Sequence, residues 1–312
     1  MVLNNEDVLW RPGRGPDLAA LARMCSAFPR PEEPMGEAWF MGETRHMFTN
    51  LMNDIDVLSV KDVEKPLEEI ASGTASFGQS AEWRDWFLYL LPRLVPRANE
   101  QYVSSLNELL VTALMSQYPS GTIAPAYPTF QEDVLITLGR TIMDQSCWQD
   151  GRVVLGRLLH RHNRWQNGRW GWDRTSGDFS AGMFFYLKYL PTDYIQAWIE
   201  SVLEIDCPYW RAQVVVWFVG AFDVLMGEFH QPSDFPDSSD VQWNWSFCLR
   251  GADTSSGLTR YFPEENCLTV LQSLAAKIDP ENFQQWIAGF AIESDLKAEL
   301  KDLPDCFREL YL

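Results

Sequence analysis

The residues best suited to chemistry lie between positions 150 and 175. Six arginines and two aspartates give this stretch a charge of +4, whereas the whole chain has a net charge of −18. A guanidinium group binds a phosphate or carboxylate through paired hydrogen bonds, and a flat indole ring stacks on a base. The stretch therefore predicts a site for an anionic ligand, formed by Arg157, Arg161, Arg164, Trp165, Arg169 and Trp170.

The same arginines allow a structural interpretation. In a chain this acidic, they can pair with the protein's own carboxylates while the tryptophans fill the edge of the core. If the stretch instead belongs to an enzyme, Asp173 or Asp178 would serve as its general acid or base. The residue types alone leave both interpretations open.

A second stretch, residues 228–262, has the opposite charge. It contains five acids and two arginines, and aromatic residues alternate with the acids. Aromatic anchors surrounded by charge are typical of surfaces that bind an oppositely charged protein. We therefore predict a partner-binding surface formed by Asp234, Phe235, Asp237, Asp240, Trp243 and Trp245. Alternatively, Trp243 and Trp245 pack into the protein's own helices and the three aspartates are merely solvated.

Patterns of common cofactor chemistry are absent from the sequence. It has no P-loop, no Gly-x-Gly-x-x-Gly turn, no Gly-x-Ser-x-Gly elbow and no His-Glu-x-x-His helix. His160 and His162 are two residues apart at a predicted helix end, and a zinc site would need distant carboxylates as further ligands. We predict neither a metal nor a cofactor, and a non-enzymatic protein in preference to an enzyme.

Composition sets the class of protein. With 312 residues, 46% of them hydrophobic, the chain must bury a large core. Its charge opposes direct binding to nucleic acid. The N-terminus lacks a secretion signal, the longest strongly apolar run has only 11 residues, and the six cysteines form no C-x-x-C pair. We expect a cytoplasmic protein with reduced thiols and no membrane segment.

Helical periodicity dominates the chain. The clearest apolar stripe at helical spacing consists of Trp83, Trp86, Phe87, Leu90 and Leu91. Further helices are predicted over residues 18–28, 38–52, 57–70, 102–117, 130–143, 153–160, 181–189, 195–203, 210–226, 264–278 and 283–290, and from 295 onwards. No run of alternating strand residues is evident. The predicted fold is all-α.

Proline-marked turns join successive helices at 190–191 and 278–280, and such short turns make neighbouring helices antiparallel. We therefore predict stacked antiparallel helical hairpins that form a HEAT-like arc or an α/α superhelix, with two long irregular loops. Units of roughly 30 to 36 residues over 192–227 and 264–292 resemble those of irregular HEAT or armadillo proteins. The resemblance implies a curved interaction surface and no chemistry. We predict an irregular segment over 1–35 and one helical domain over 36–312, with a sub-boundary near 150–178.

Together these observations favour a protein-binding protein. Because an acidic surface steers and blocks a basic active site, the concrete expectation is an immunity or antitoxin-type inhibitor of a toxin, with a basic protein as its partner. The alternative is an enzyme or ligand-binding protein that uses residues 157–174 to hold an anion.

Overall fold

The protein is mostly helical, which confirms the predicted helical class. The computed structural model describes residues 3–37, 46–73, 80–99, 106–154, 161–164, 169–172, 177–230, 241, 243–251, 260–293, 296, 300 and 302–312. Its helices are α1 (Asn5–Val8), α2 (Leu18–Ala27), α3 (Val60–Gly73), α4 (Ser80–Leu94), α5 (Leu106–Gln117), α6 (Phe130–Thr137), α7 (Gly177–Tyr189), α8 (Thr192–Glu204), α9 (Pro208–Gly220), α10 (Phe222–Met226), α11 (Glu264–Lys277), α12 (Phe283–Trp286) and α13 (Leu303–Tyr311).

Short 3-10 helices extend or connect several of these helices. They span Thr49–Met52, Ile55–Val57, Val95–Arg97, Leu138–Met143, Gln145–Cys147, Ser246–Gly251 and Ala288–Ala291. The predicted helix over 130–143 is therefore an α-helix that tightens into a 3-10 helix at Leu138, and the one over 283–290 divides in the same way.

The predicted apolar stripes face the core. In α4, Trp83, Trp86, Phe87, Leu90 and Leu91 are all buried. In α8 the buried positions recur at the same helical spacing, while Glu200 and Glu204 remain outside. Burial of one stripe per helix stabilises these elements more than intrinsic propensity does.

Two pairs of packed helices run parallel. Near the start of α5 and α7, the backbone N–H of Glu108 donates to Asp178, and at their other ends the Tyr189 hydroxyl donates to the carbonyl of Tyr118. Helices α8 and α11 are also joined at like ends, by Thr192 with Asn266 and by Glu204 with Lys277. Helix α5 also packs against α3, so neighbours cover it on two sides and all of its residues are buried.

The N-terminal segment carries α1 and α2, and α2 matches the helix predicted over 18–28. Between them, Trp10 makes edge-on contacts with four aromatic rings in the core. Its backbone N–H donates to the Ser201 hydroxyl on α8 and its indole N–H to the carbonyl of Gly139. Only glycine fits at 139, because an added Cβ would lie 2.8 Å from the Tyr186 ring. This segment is thus part of the same core.

Two β-hairpins correct the prediction that the chain has no strands. β1 (Trp148–Gln149) pairs with β2 (Arg152–Val153) through a turn at Asp150 and Gly151, both with positive φ. Asp-Gly is the preferred sequence for such a two-residue turn, and this signal was missed. The second hairpin pairs β3 (Arg161–Arg164) with β4 (Arg169–Trp172). Because β2 includes Val153, the helix predicted over 153–160 does not begin there.

The helix predicted over 38–52 is also absent where the structure describes it. Residues 46–48 are not helical, an isolated bridge joins Phe48 to Met35, and only a 3-10 turn follows at Thr49–Met52. Residues 38–45 lie outside the described part of the chain. Among the helices that are described, none is long and apolar enough to cross a membrane.

Candidate functional site

Helix α7, which follows the first irregular stretch, and the second irregular stretch are both attached to α5 at Glu108 and Thr112. The first stretch leads into α7, whose second residue is Asp178. The second stretch reaches α5 through Trp243 and Trp245. Helix α7, which follows the first stretch, and the middle of the second stretch therefore meet on a single buried helix. We take this meeting point as the candidate functional site.

Asp178 holds the start of α5. Its Oδ1 accepts a hydrogen bond of 2.9 Å from the backbone N–H of Glu108, in the first turn of that helix. The first N–H groups of a helix lack partners within the helix, and a carboxylate there also interacts favourably with the helix dipole. Asp178 is only 4% exposed, and this burial raises its pKa to about 7. The sequence prediction of a possible acid or base at Asp178 stays a prediction.

The aromatic segment, defined as residues 243–247, is fixed to α5 by two hydrogen bonds. The backbone N–H of Trp245 donates to Oε1 of Glu108, and the indole N–H of Trp243 donates to Oγ1 of Thr112, each at 2.9 Å. Glu108 and Thr112 are four residues apart and so lie on one face of α5. Just before the segment, the hydroxyl of Ser180 on α7 donates to the carbonyl of Val241. The segment therefore attaches to both parallel helices.

Within the aromatic segment, the side chains divide between core and surface. Trp243 is 0% exposed and stacks on Phe184 of α7, with ring centroids 5.4 Å apart. Trp245 is half-buried and lies 6.0 Å from the ring of Phe247, which is 53% exposed. In this structure Trp243 thus belongs to the core, as the alternative interpretation has it, whereas Trp245 and Phe247 form an aromatic pair that reaches the surface.

The other predicted partner-binding residues lie outside the described residues: Asp234, Phe235, Asp237 and Asp240. The same holds for Arg157 and Trp165 of the predicted anion site. Of the remaining four, Arg161 and Arg164 are in β3, and Arg169 and Trp170 are in β4. The register sets Arg164 directly opposite Arg169, and Trp170 opposite Asn163.

The sequence did not predict a role for Lys188, near the end of α7. This lysine is buried, and its Nζ donates to the carbonyl of Tyr261 at 2.6 Å. The ammonium also lies 3.4 Å from the centre of the Tyr261 ring. Burial lowers the pKa of Lys188 to about 7. Lys188 thereby fixes the far end of the second stretch to α7, with Tyr261 and Phe262 buried in the core.

Glu108 and Phe247 were also absent from the predicted site residues. Glu108 is a polar residue in a stretch whose pattern predicts only a helix. It is buried because other helices pack on both sides of α5. Phe247 is one of several aromatic residues in the second stretch. No feature of the sequence indicates which of these rings is exposed and which are buried.

Within the described part of the chain, no group of three or more His, Cys, Asp and Glu residues is arranged to hold a metal ion. Comparison of the chain with protein-family models, with curated proteins and with solved structures gave no match. Function therefore has to be inferred from the residues of the site themselves.

Proposed function

We propose that this protein is a non-enzymatic binding protein that presents an acidic, aromatic surface to a basic protein partner. Its most concrete form is an immunity or antitoxin-type inhibitor that covers the basic active site of a toxin. The observation that carries the proposal is the Trp245–Phe247 pair, which reaches the surface from a segment anchored on buried helices.

The anchoring matters because ordering a flexible loop on binding opposes association. The aromatic segment is already held by Glu108 and Thr112, and the stack of Trp243 on Phe184 fixes it further. The 3-10 helix Ser246–Gly251, which includes Phe247, packs against α3 and α5. An exposed ring on such a support can bind with a small loss of conformational entropy, which is typical of an anchor residue.

Charge supports the same proposal. Asp234, Asp237 and Asp240 precede the aromatic segment by nine, six and three residues in the sequence. Acids next to an aromatic anchor raise the association rate with a basic partner and disfavour acidic ones. The overall charge of −18 acts in the same direction over longer distances.

The predicted architecture, an arc of stacked helical hairpins, is part of this proposal. Stacked hairpins bring equivalent helices of successive hairpins side by side in parallel. The parallel pairs α5–α7 and α8–α11 support such an arrangement. An arc of this kind would offer the partner a curved surface.

The proposal is tested by capture from a lysate of the source organism at about 0.15 M salt, where charges are screened beyond about 8 Å. We expect the wild-type protein to retain a basic protein in stoichiometric amount. Changing Asp234, Asp237 and Asp240 together to Lys should lower the association rate constant of that protein at least about tenfold. Phe247→Ala should instead raise its dissociation rate constant by about tenfold or more.

The matched control changes three exposed acids elsewhere, Glu32, Asp85 and Glu281, to Lys. It alters the net charge by the same amount, so only a general charge effect should remain. If this control slows association as much as the first variant does, and Phe247→Ala has no effect on dissociation, the aromatic segment is not the binding surface.

The hairpin register favours a second candidate function, the binding of an anionic ligand. Arg164 is directly opposite Arg169. Arginines at paired positions of a hairpin are typical of sites that bind a phosphate or carboxylate, because guanidinium groups hold such anions through paired hydrogen bonds. This observation supports the prediction that residues 157–174 hold an anion.

A fluorescent ATP analogue and inorganic pyrophosphate test this second candidate. We expect Arg161→Ala/Arg164→Ala to weaken their binding at least about tenfold, because each lost charge-assisted hydrogen bond is worth about 1.5 kcal/mol or more. Arg152→Ala, in the other hairpin, is the control and should bind like the wild type. Absence of binding to the wild-type protein would contradict this candidate.

A further inference from the structure

The two rings of the aromatic segment that reach the surface lie close together at a shallow angle. The ring centroids of Trp245 and Phe247 are 6.0 Å apart, and the two ring planes are inclined by 30°. The Trp245 ring is half-buried against the core, whereas Phe247 is 53% exposed. The face of an aromatic ring carries partial negative charge and attracts cations, so this pair offers a surface to a positively charged group.

A carboxylate of α3 adds negative charge next to this pair. Glu68 is on α3, against which the 3-10 helix Ser246–Gly251 packs. Burial and, to a smaller extent, the negative charge of Glu68 raise the pKa of the Cys248 thiol in this 3-10 helix to about 12. Because Cys248 directly follows Phe247 in the chain, the charge of Glu68 also acts close to the aromatic pair.

Glu68 is partly buried, and no cation among the described residues pairs with it. Lys65 is one turn earlier on α3, but its Nζ lies 3.4 Å from a carboxylate oxygen of Glu37. Arg250 belongs to the same 3-10 helix as Phe247, and its side chain lies outside the described part of the chain. A carboxylate accepts several hydrogen bonds, and a partly buried one is screened less than an exposed one. Glu68 is therefore suited to accept hydrogen bonds from a cation of a partner.

We propose that the aromatic pair and Glu68 together bind an arginine side chain of the basic partner. The planar guanidinium stacks on the rings of Trp245 and Phe247 and donates paired hydrogen bonds to the carboxylate of Glu68. Lysine has the same charge, but its compact and strongly hydrated ammonium has neither a flat face nor a fork of donors. The inference deepens the proposed function and rests on it, since it names the chemistry through which the aromatic segment contacts its partner.

The test titrates the full-length protein, labelled with fluorinated tryptophan, with the Nα-acetyl amides of arginine, lysine and citrulline. Fluorine NMR follows the Trp245 signal, which the variant Trp245→Phe identifies. We expect the arginine derivative to shift this signal in a saturable way. The lysine derivative should bind at least about fivefold more weakly, although its charge is the same. The citrulline derivative is neutral and should not bind.

Variants of the site give further expected results. Glu68→Gln should weaken binding of the arginine derivative at least about fivefold, because hydrogen bonds to a charged acceptor are lost. Phe247→Leu keeps an apolar side chain without the ring and should weaken binding about threefold. The matched control, Glu132→Gln, removes a partly buried acid of α6 and should change the affinity less than about twofold. Arg250→Gln should bind like the wild type.

Equal affinity for the arginine and lysine derivatives, or no effect of Glu68→Gln, would overturn the inference. Binding at least about fivefold tighter in Arg250→Gln would also overturn it, because the protein's own arginine would then occupy the site. The captured protein separates this inference from the proposed function. If Phe247→Ala speeds dissociation of that protein but the arginine derivative does not bind, the inference fails and the proposed function survives. If Phe247→Ala leaves that dissociation unchanged, the proposed function fails, and with it the assignment of the arginine to this partner.

Discussion

Replacing Asp178 by Asn is expected to remove about 3 kcal/mol of pH dependence from the free energy of unfolding between pH 4 and pH 7. Burial raises the pKa of this carboxyl from 3.8 to about 7, and each pKa unit corresponds to about 1.36 kcal/mol. In this window the folded protein binds the proton more tightly than the unfolded chain does. The wild-type free energy of unfolding therefore falls as the pH rises towards 7, whereas asparagine contributes no such slope.

Urea unfolding of both proteins at pH 5, 6, 7 and 8, followed by tryptophan fluorescence, measures this effect. The free energy of unfolding of Asp178→Asn relative to wild type should rise by about 2 kcal/mol from pH 5 to pH 7 and then level off. Asp85→Asn changes an exposed aspartate of α4 and serves as the control, with a difference that is nearly constant. A constant difference for Asp178→Asn as well would contradict the proposed protonation of the buried carboxyl.

Lys188→Met is expected to give the largest effect at higher pH. Burial lowers the pKa of Lys188 from 10.5 to about 7, which corresponds to about 5 kcal/mol between these values. Between pH 7 and 10.5 the unfolded chain binds the proton more tightly, so the wild-type free energy of unfolding rises with pH. Methionine has a similar apolar stem and does not titrate. The stability of the variant relative to wild type should therefore be highest at or below pH 7 and fall above it.

The same unfolding measurement at pH 7, 8, 9 and 9.5 tests this prediction. The relative stability of Lys188→Met should fall by about 3 kcal/mol across this range. The lost hydrogen bond to the Tyr261 carbonyl adds an offset that does not depend on pH. Lys61→Met, at an exposed position of α3, is the control. A pH-independent difference for Lys188→Met would mean that the ammonium remains charged in the folded protein.

The two buried groups stand at opposite ends of α7. An acid near the start of a helix and a lysine near its end are each at the end that the dipole favours, but burial outweighs this effect on both pKa values. The contribution of Asp178 to the free energy of unfolding falls with pH up to about pH 7, and that of Lys188 rises above about pH 7. Their combined contribution to the free energy of unfolding is thus lowest near neutral pH.

The helical class and the main apolar stripes could be predicted from the sequence. Trp83, Trp86 and Phe87 in α4 repeat at helical spacing, and this spacing is typical of a helix with one buried face. The limits of α8 and α11 were also close, because a proline-marked turn precedes α8 and another follows α11.

The site was harder to predict because its burial depends on tertiary packing. Within the aromatic segment, Trp243 and Trp245 are equally apolar and two residues apart. Only the position of Phe184 and Thr112 decides that the first is buried. Glu108 and Lys188 are similar cases, since a helical pattern cannot tell which polar residue will be covered by a neighbouring helix. The short hairpins escaped prediction because strands of two to four largely polar residues show no clear alternation.

The central claim is that the aromatic segment contacts a basic partner. Hydrogen–deuterium exchange on the complex with the captured protein tests it most directly. We predict slower exchange in peptides covering residues 230–251 on binding, with no change of that size in peptides from α13. Protection confined to other parts of the chain, with residues 230–251 exchanging as in the free protein, would contradict this claim.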